Sequence, residues 1–538
     1  MEDNRPLLAT LACMLRPAFT SFCALVLLGG LAPCRAAAQV DGAAARPQSR
    51  PAGAAPNVVL ILADDLGYGD MHAFNPDSTI PTPALDSLAA QGMSFTDAHT
   101  PSAVCTPTRY GLLTGRYCWR TRLKSWVLNG YSAPLIQAGR QTLGHLFQAA
   151  GHETAIVGKW HLGLGWKHVG EKSRTGEKGQ ERDEGRKARQ GNQIDFTKPV
   201  TDGPNAHGFD HSYIVPASLD FPPYVYVRDG KVTDPGIVQQ EAQRFPAFLR
   251  KGPRAKDLVM EDVLDHLTAQ AVDFIKTCAA DKKPFFLYFP LTAPHMPVLP
   301  HERYRGKSGR GPYGDYVVQV DDCVRKVTET IEAAGIRDRT IVIFSSDNGS
   351  YMYRLAEDKK PDHVEDETVK GYRPAHHRAN GPFRGTKADI WEAGHHVPLI
   401  VRWPGKVATG AESARLVCLT DLMATCAGLL GTSPGPGMAE DSVSFLPTLF
   451  GTASQPERPA IVHHSGAGMF AIRKGRWKLI AGNGSGGREL PKGKPFTRPF
   501  QLYDLEADVS ESDDRLADEP EVARELEKLL DQIRKGGR

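Results

Sequence analysis

Apolar runs and amphipathic stretches alternate along this chain. The run "NVVLILADD" predicts a buried strand over Asn57–Ala63 that ends in two acids. "TPALDSLAAQG" predicts a short helix, with Thr82 as cap, Pro83 in the first turn and Gly92 as stop. "TLGHLFQAAGHETAIVGKWHLG" reads as a helix stopped by Gly151, a strand to Val157, then a loop. A long helix over about Leu258–Cys278 leads into the strand "PFFLYFP". A second, over about Tyr313–Ala334, leads into the strand "TIVIFSSDNG", and "VPLIVRWPG" is a further strand. This order predicts an α/β fold: a large mixed, mostly parallel sheet flanked by helices. Beyond about Gly435 the pattern changes. "MFAIRKGRWKLI" and "PFQLYDLEAD" predict antiparallel strands, followed by a helix from about Pro520. The expected organisation is a main α/β domain over 57–434 and a smaller C-terminal α+β subdomain with an antiparallel sheet over 435–538.

Two segments fall outside this alternation. From Met14 a basic stretch, the apolar run Ala18–Ala32 and Ala36-Ala37-Ala38 follow in order, the layout of a signal peptide over 1–38. Glu2 and Asp3 are unusual for such a segment, so Met14 stands beside Met1 as a candidate start of translation. The apolar run is short for a spanning helix, and Pro33 before Cys34 makes a poor lipid-attachment site, so export to the periplasm or medium is expected rather than stable membrane insertion. Residues 39–56 read as an Ala/Pro/Gly-rich linker. Between Gly170 and Gln193 the only apolar side chain is Ala188, so a solvated surface loop is expected there.

Composition narrows the function classes. The chain has 538 residues and a formal net charge of +3, too little to argue for nucleic acid, and no basic run interleaved with aromatics is present. Of nine cysteines, Cys13, Cys23 and Cys34 lie in the presequence. The other six are scattered, so neither a disulfide framework nor a C-x-x-C zinc site is implied.

Candidate chemistry collects at strand ends. Asp64-Asp65 follows one apolar strand and Asp347-Asn348 another. In parallel sheets ligands sit beyond the carboxyl ends of the strands. Three carboxylates and an amide oxygen brought together there would repel without a cation, and all-oxygen ligation suits Ca²⁺ or Mg²⁺ rather than zinc. On the cationic side, "GKWHLG" places Lys159 and His161 two apart in what reads as an extended loop, pointing the same way. "TAPHMP" holds His295 between prolines just past a strand, and "RGTKADIWEAG" adds Lys387. With Arg109 these make a set able to clamp a tetrahedral oxyanion and move protons.

Cys105 and Arg109 stand one turn apart in "SAVCTPTRYGLLTG", where Pro107 marks a first helical turn and so puts Cys105 at the positive end of a helix. A tyrosine-phosphatase-like loop also pairs Cys and Arg at a helix start, but it needs five intervening residues and here there are three. Instead C-T-P-T-R followed by "YGLLTG" resembles the type I sulfatase signature C-x-P-x-R-x₄-T-G. The resemblance covers most of the chain from Asn57 onward. It implies that Cys105 is converted to formylglycine by a formylglycine-generating enzyme, and that one Ca²⁺ per chain, in preference to Mg²⁺, is held by Asp64, Asp65, Asp347, Asn348 and the modified Cys105. It further implies catalytic roles for Cys105, Arg109, Lys159, His161, His295 and Lys387. A hydroxyl of the hydrated aldehyde attacks sulfur. His295 protonates the leaving alcohol, both lysines hold the sulfuryl oxygens, Arg109 orients the nucleophile, and His161 takes the proton that lets sulfate leave. The family usually reads D-P-x-E where this chain has Asp508-Val509-Ser510-Glu511, a departure placed in a peripheral turn.

The implied substrate is a sulfated saccharide or a small aryl sulfate. Two rivals stand beside it: a phosphonate or phosphodiester hydrolase of the same alkaline-phosphatase-like superfamily, and a non-catalytic, calcium-dependent glycan-binding protein. "PASLDFPPYVYVRDG", from Pro216 to Gly230, reads equally well as a pocket mouth and as a packed loop.

Overall fold

The structure, a computed structural model, describes residues 55–169, 194–435, 437–452 and 458–536. The expected signal peptide, nearly all of the linker and the charged 170–193 insert lie outside the described residues. The rest belongs to one compact unit, Gln48–Arg538, that includes the C-terminal sheet.

A ten-stranded mixed sheet forms the centre. Its core is five parallel strands in the spatial order Thr340–Ser346, Asn57–Asp64, Phe285–Pro294, Glu153–Lys159 and His211–Val215. Leu399–Arg402 and Met93–Phe95 extend one edge antiparallel, and short strands close both edges. The central strand is buried on both faces, as its unbroken apolar run requires. Val59 and Ile61 point to one layer, where they meet helices Val263–Ala280 and Gly311–Ala333. Val58, Leu60 and Leu62 point to the other, where Cys105–Thr114, Leu143–Ala149 and Leu422–Leu429 pack. Val263, Leu267, Ala271, Ile275 and Cys278 recur every three or four positions and lay one apolar stripe of the first helix on the sheet.

Local expectations hold with adjustments. The helix Pro83–Ala90 begins with its proline, but the Thr82 hydroxyl bonds the Asp86 carboxylate rather than capping the backbone. Gly92 does not cap the helix, which ends at Ala90 with Gln91 as its cap. A Cβ on Gly92 would lie 2.5 Å from the Val401 carbonyl, so its role is close strand packing. All six described cysteines are buried and unpaired. Among the described residues no helix is long and apolar enough to cross a membrane.

The C-terminal sheet has four antiparallel strands, Ile461–His464, Phe470–Lys474, Trp477–Ile480 and Gln501–Asp504, backed by the helix Pro520–Arg534. The first of these was not anticipated, because "IVHH" is too short to stand out. The sheet meets the main body through a buried polar seam. There the Lys478 ammonium touches Glu392 at 2.9 Å and Glu511 at 2.8 Å, and Glu511 also accepts the Glu392 backbone N–H at 2.6 Å. Glu511 is fully buried, so placing Asp508–Glu511 in a peripheral turn is wrong at its last residue. That carboxylate reaches inward to charges the turn sequence does not reveal.

The same seam holds His99, His395 and His463 as buried, neutral imidazoles. Burial, with His396 next, pulls His99 down to about 4, and burial holds the other two well below the ordinary histidine value. Unfolded histidines bind a proton below about pH 6.5. The native ones do not until the pH is far lower, so the unfolded state gains protons first and stability falls with pH across that window. The thermal midpoint should drop as pH goes from 6.5 to 4, and His463→Gln should make that drop shallower. An unchanged slope in thermal scans of the variant would show that His463 titrates normally.

Candidate active site

Four strand ends and one helix start meet at a single point. Asp64 is the last residue of the central strand, and Asp65 turns left-handed with φ 66°. Lys159 ends its own strand, while His295 and Asp347 follow directly after theirs. Gly158 permits this crowding, since a Cβ there would lie 1.9 Å from the Pro290 carbonyl oxygen. Cys105 is the first residue of the fully buried helix Cys105–Thr114, which stops at Gly115 in the left-handed conformation.

Cys105 sits between the two kinds of charge. Its Sγ lies 3.7 Å from Asp64 Oδ1 and 3.3 Å from Lys387 Nζ. Lys159 Nζ donates to both Asp64 oxygens at 2.7 Å, and Lys387 Nζ lies 2.6 Å from Asp65 Oδ1. Arg109 grips Asp347 Oδ2 through two nitrogens, at 2.9 and 2.6 Å, and donates to the Lys159 carbonyl at 3.1 Å. Asn348 Nδ2 donates to Asp65 Oδ1 at 2.7 Å. His295 Nδ1 donates to the Met296 carbonyl at 2.6 Å, which leaves Nε2 facing Asp65 Oδ2 at 3.6 Å. The sequence-picked residues Asp64, Asp65, Cys105, Arg109, Lys159, His295, Asp347, Asn348 and Lys387 are thus brought together.

Charge explains the protonation states. Burial opposes ionisation of Asp64, yet Lys159, His295 and Arg109 hold its carboxyl below the usual range. Asp65 is likewise lowered against burial, chiefly by Lys387. Burial disfavours the Lys387 ammonium, but Asp65 raises it above the ordinary lysine value. Burial, with Asp347 next, pushes the Cys105 thiol up to about 12, so the unmodified side chain is a protonated thiol at neutral pH. A tyrosine-phosphatase-like thiolate does not fit this setting.

His161 needs a correction. Its backbone is left-handed, φ 57°, not extended, because Trp160 and His161 donate their N–H groups to Val215 and Pro216. Its Nε2 donates to the Leu128 carbonyl at 2.8 Å, so Nδ1 is the free acceptor, 3.5 Å from Ser218 Oγ. Burial, then the Lys159 charge, keeps this imidazole well below the usual pKa and therefore neutral. The Pro216–Gly230 stretch divides. Tyr224–Val227 are packed inside, whereas Ser218 and Phe221 lie against His161.

Several supporting residues gave no signal in the sequence. Tyr313 donates to Asp70 Oδ2 at 2.6 Å, and Ser350 lies 2.7 Å from its hydroxyl. Asn380 brackets the Ser350 backbone, and the Ser350 carbonyl accepts the Lys387 N–H at 2.9 Å. This chain of bonds holds Lys387 beside Asp65 and Cys105, across sequence separations of 30 to 243 residues.

A family profile described as Sulfatase matches residues 56–432. The chain belongs to the sulfatase family. It is 33% identical over 523 residues to the N-acetylgalactosamine-6-O-sulfatase of Bacteroides thetaiotaomicron, covering 89% of this chain and 93% of that one. Bovine arylsulfatase A is 29% identical over 494 residues, 89% of this chain and 87% of its own. A solved structure from a study of glycosaminoglycan metabolism by Bacteroides thetaiotaomicron superposes with a TM-score of 0.75 at 32% identity, over 90% of this chain and all of that one. This sulfatase is therefore a type I sulfuric ester hydrolase, as its signature implied.

The donor set also fits a hard divalent cation. Asp64, Asp65, Asp347 and Asn348 offer oxygens alone, and the fully buried Asn348 Oδ1 has no hydrogen-bond partner. Asp64, Asp65, Cys105 and His295 place ligand-type atoms within 4.8 Å of one another.

Proposed function

We propose that this sulfatase hydrolyses sulfate esters of saccharides, with 6-sulfated N-acetylgalactosamine as the first substrate to test, and that it does so through formylglycine at Cys105 beside one Ca²⁺. The observation that carries the reading is the position of Cys105, one contact from an aspartate and one from a lysine at a helix start. The saccharide follows from the name of the bacterial relative.

Each side chain then has a task. Asp64, Asp65, Asp347 and Asn348 would hold the cation, which when bound supplies the positive charge these carboxylates otherwise draw from two lysines. That leaves Lys159 and Lys387 free to hold sulfuryl oxygens. The aldehyde, once hydrated, supplies one hydroxyl to attack sulfur and a second whose deprotonation expels sulfate. Arg109 fixes Asp347 and so orients the attacking hydroxyl. His295 carries the proton to the leaving alcohol from Nε2, since Nδ1 is tied to Met296. His161 accepts the last proton on Nδ1, the nitrogen left free by the Leu128 carbonyl.

The test is release of inorganic sulfate from N-acetylgalactosamine 6-sulfate, set against hydrolysis of a phosphonate monoester. Sulfate release should dominate, and chelation should abolish it and lower the thermal midpoint. Ca²⁺ should restore both. Preferential phosphonate turnover would instead support the superfamily rival, and an unmodified Cys105 in the natural host would support a binding protein.

A further inference from the structure

A cleft of about 440 Å³ opens beside the catalytic residues, and the mechanism above leaves it unused. None of the catalytic side chains lines it, but its walls are bonded to their neighbours in the chain. Met296, whose carbonyl fixes His295, lines it. Ala388, next to Lys387, is tied to the far wall through Gly466. Its carbonyl accepts the Gly466 N–H at 2.8 Å, and the Gly466 carbonyl accepts the Trp126 N–H at 2.6 Å. Arg488 is pinned by its own N–H to Asp389 Oδ1 at 2.5 Å, two residues beyond Lys387.

The charges in this cleft are one-sided. Lys370, Arg488 and Lys492 line it and no carboxylate does. Among the described residues none of the three pairs with an acid within 4.0 Å. The Lys370 ammonium lies over the Phe245 ring, 4.9 Å from its centre, and its pKa is lowered by burial and then by Arg488. Arg488 also acts on Lys387, so the cleft and the sulfuryl-binding lysine share one positive field. Cations on an open surface are ordinarily solvated and carry no message. Here the Lys370 and Arg488 side chains are half-buried with no carboxylate in direct ion-pair contact, although Asp220 acts on Lys370 and Asp389 on Arg488 from further off, so an entering anion would gain from both. Trp126, 45% exposed, stands at the rim with a left-handed backbone, φ 57°, offering an indole face to a sugar ring.

We propose that this cleft binds a second anionic group of the same substrate, carried on the sugar next to the one that loses sulfate, with Arg488 and Lys370 as its direct partners and Trp126 as the stacking face. The inference rests on the sulfated-saccharide reading and sharpens it: the preferred substrate is a polyanionic fragment rather than a lone sulfated sugar. A uronate carboxylate and a second sulfate share this chemistry, and the experiment separates them.

The experiment measures kcat/KM of the modified enzyme on three disaccharides with the same 6-sulfated N-acetylgalactosamine. Its neighbour carries a uronic acid, the methyl ester of that acid, or the ester with an added sulfate. At low salt the charged forms should exceed the neutral ester by about tenfold, chiefly through KM, and added salt should shrink that ratio. In Arg488→Ala and in Lys370→Ala the ratio should fall to within about twofold, while Arg488→Lys should keep most of it. Preference for the acid alone assigns a uronate, for the sulfated form alone a second sulfate, and either supports the cleft. Equal kcat/KM on all three disaccharides, or a ratio that survives both alanine variants, overturns the inference and leaves the sulfatase reading standing. Turnover of none of them, with sulfate still released from a small aryl ester, overturns the saccharide reading and the cleft with it.

Discussion

Cys105→Ala should yield a folded protein with no measurable sulfate release. The side chain is 1% exposed and touches only Asp64 and Lys387 by hydrogen bonding, so its removal takes away one sulfur atom and leaves the helix start intact. A single core truncation of this kind costs about 1–3 kcal/mol, within what a chain of this size tolerates. The chemical loss should be complete, because Cys105 is the side chain that reaches both Asp64 and Lys387. Cys105→Ser is the sharper comparison. A serine hydroxyl could accept the sulfuryl group, but the resulting ester has no second hydroxyl to expel it. The account expects one slow turnover at most from the serine variant. Sustained turnover by either variant, followed as free sulfate over time, would remove Cys105 from its role.

Lys387→Met should lower kcat by about 10²–10³-fold, the size expected when one preorganised oxyanion donor is lost. Two effects act in this variant and can be told apart. Without the ammonium, Asp65 keeps its backbone and amide contacts but loses its charge partner, and breaking a buried pair costs about 3–5 kcal/mol. If Ca²⁺ takes over that carboxylate, most of this stability returns when the ion is added, whereas the rate does not. Thermal midpoints and kcat measured with and without Ca²⁺ separate the two. Recovery of rate together with stability would make Lys387 a structural counter-ion and nothing more.

What the sequence revealed follows from how local each signal is. Asp64-Asp65 and Asp347-Asn348 were legible because acids stand at the ends of apolar strands, the second after Ser345-Ser346, and a parallel sheet gathers such ends on one edge. Cys105 and Arg109 were legible because their spacing is short and repeats a family signature. The turn at His161 was not, since its left-handed backbone is set by carbonyls at Val215 and Pro216, on the extension of a neighbouring strand. Asp70 and Tyr313 were hidden for the same reason: 243 residues separate them, and nothing in "GPYGDY" marks the tyrosine as a partner of a distant acid. Glu511 looked peripheral because its neighbours are polar, yet one inward carboxylate joins the C-terminal sheet at Lys478 to the helix Glu392–His395 of the main body. The edges of the large sheet escaped notice because strands of two or three residues, such as Val227–Arg228 and Ala411–Ser413, carry no periodicity of their own.

The claim on which the account depends most is that an aldehyde at position 105 performs the chemistry. It is tested by preparing the enzyme with and without a formylglycine-generating partner, reading the fraction of aldehyde from the mass of the peptide containing residue 105, and measuring sulfate released from N-acetylgalactosamine 6-sulfate by each preparation. The account predicts that activity rises in proportion to the aldehyde fraction and vanishes when that fraction is zero. Full activity in a preparation whose residue 105 is wholly cysteine would contradict it.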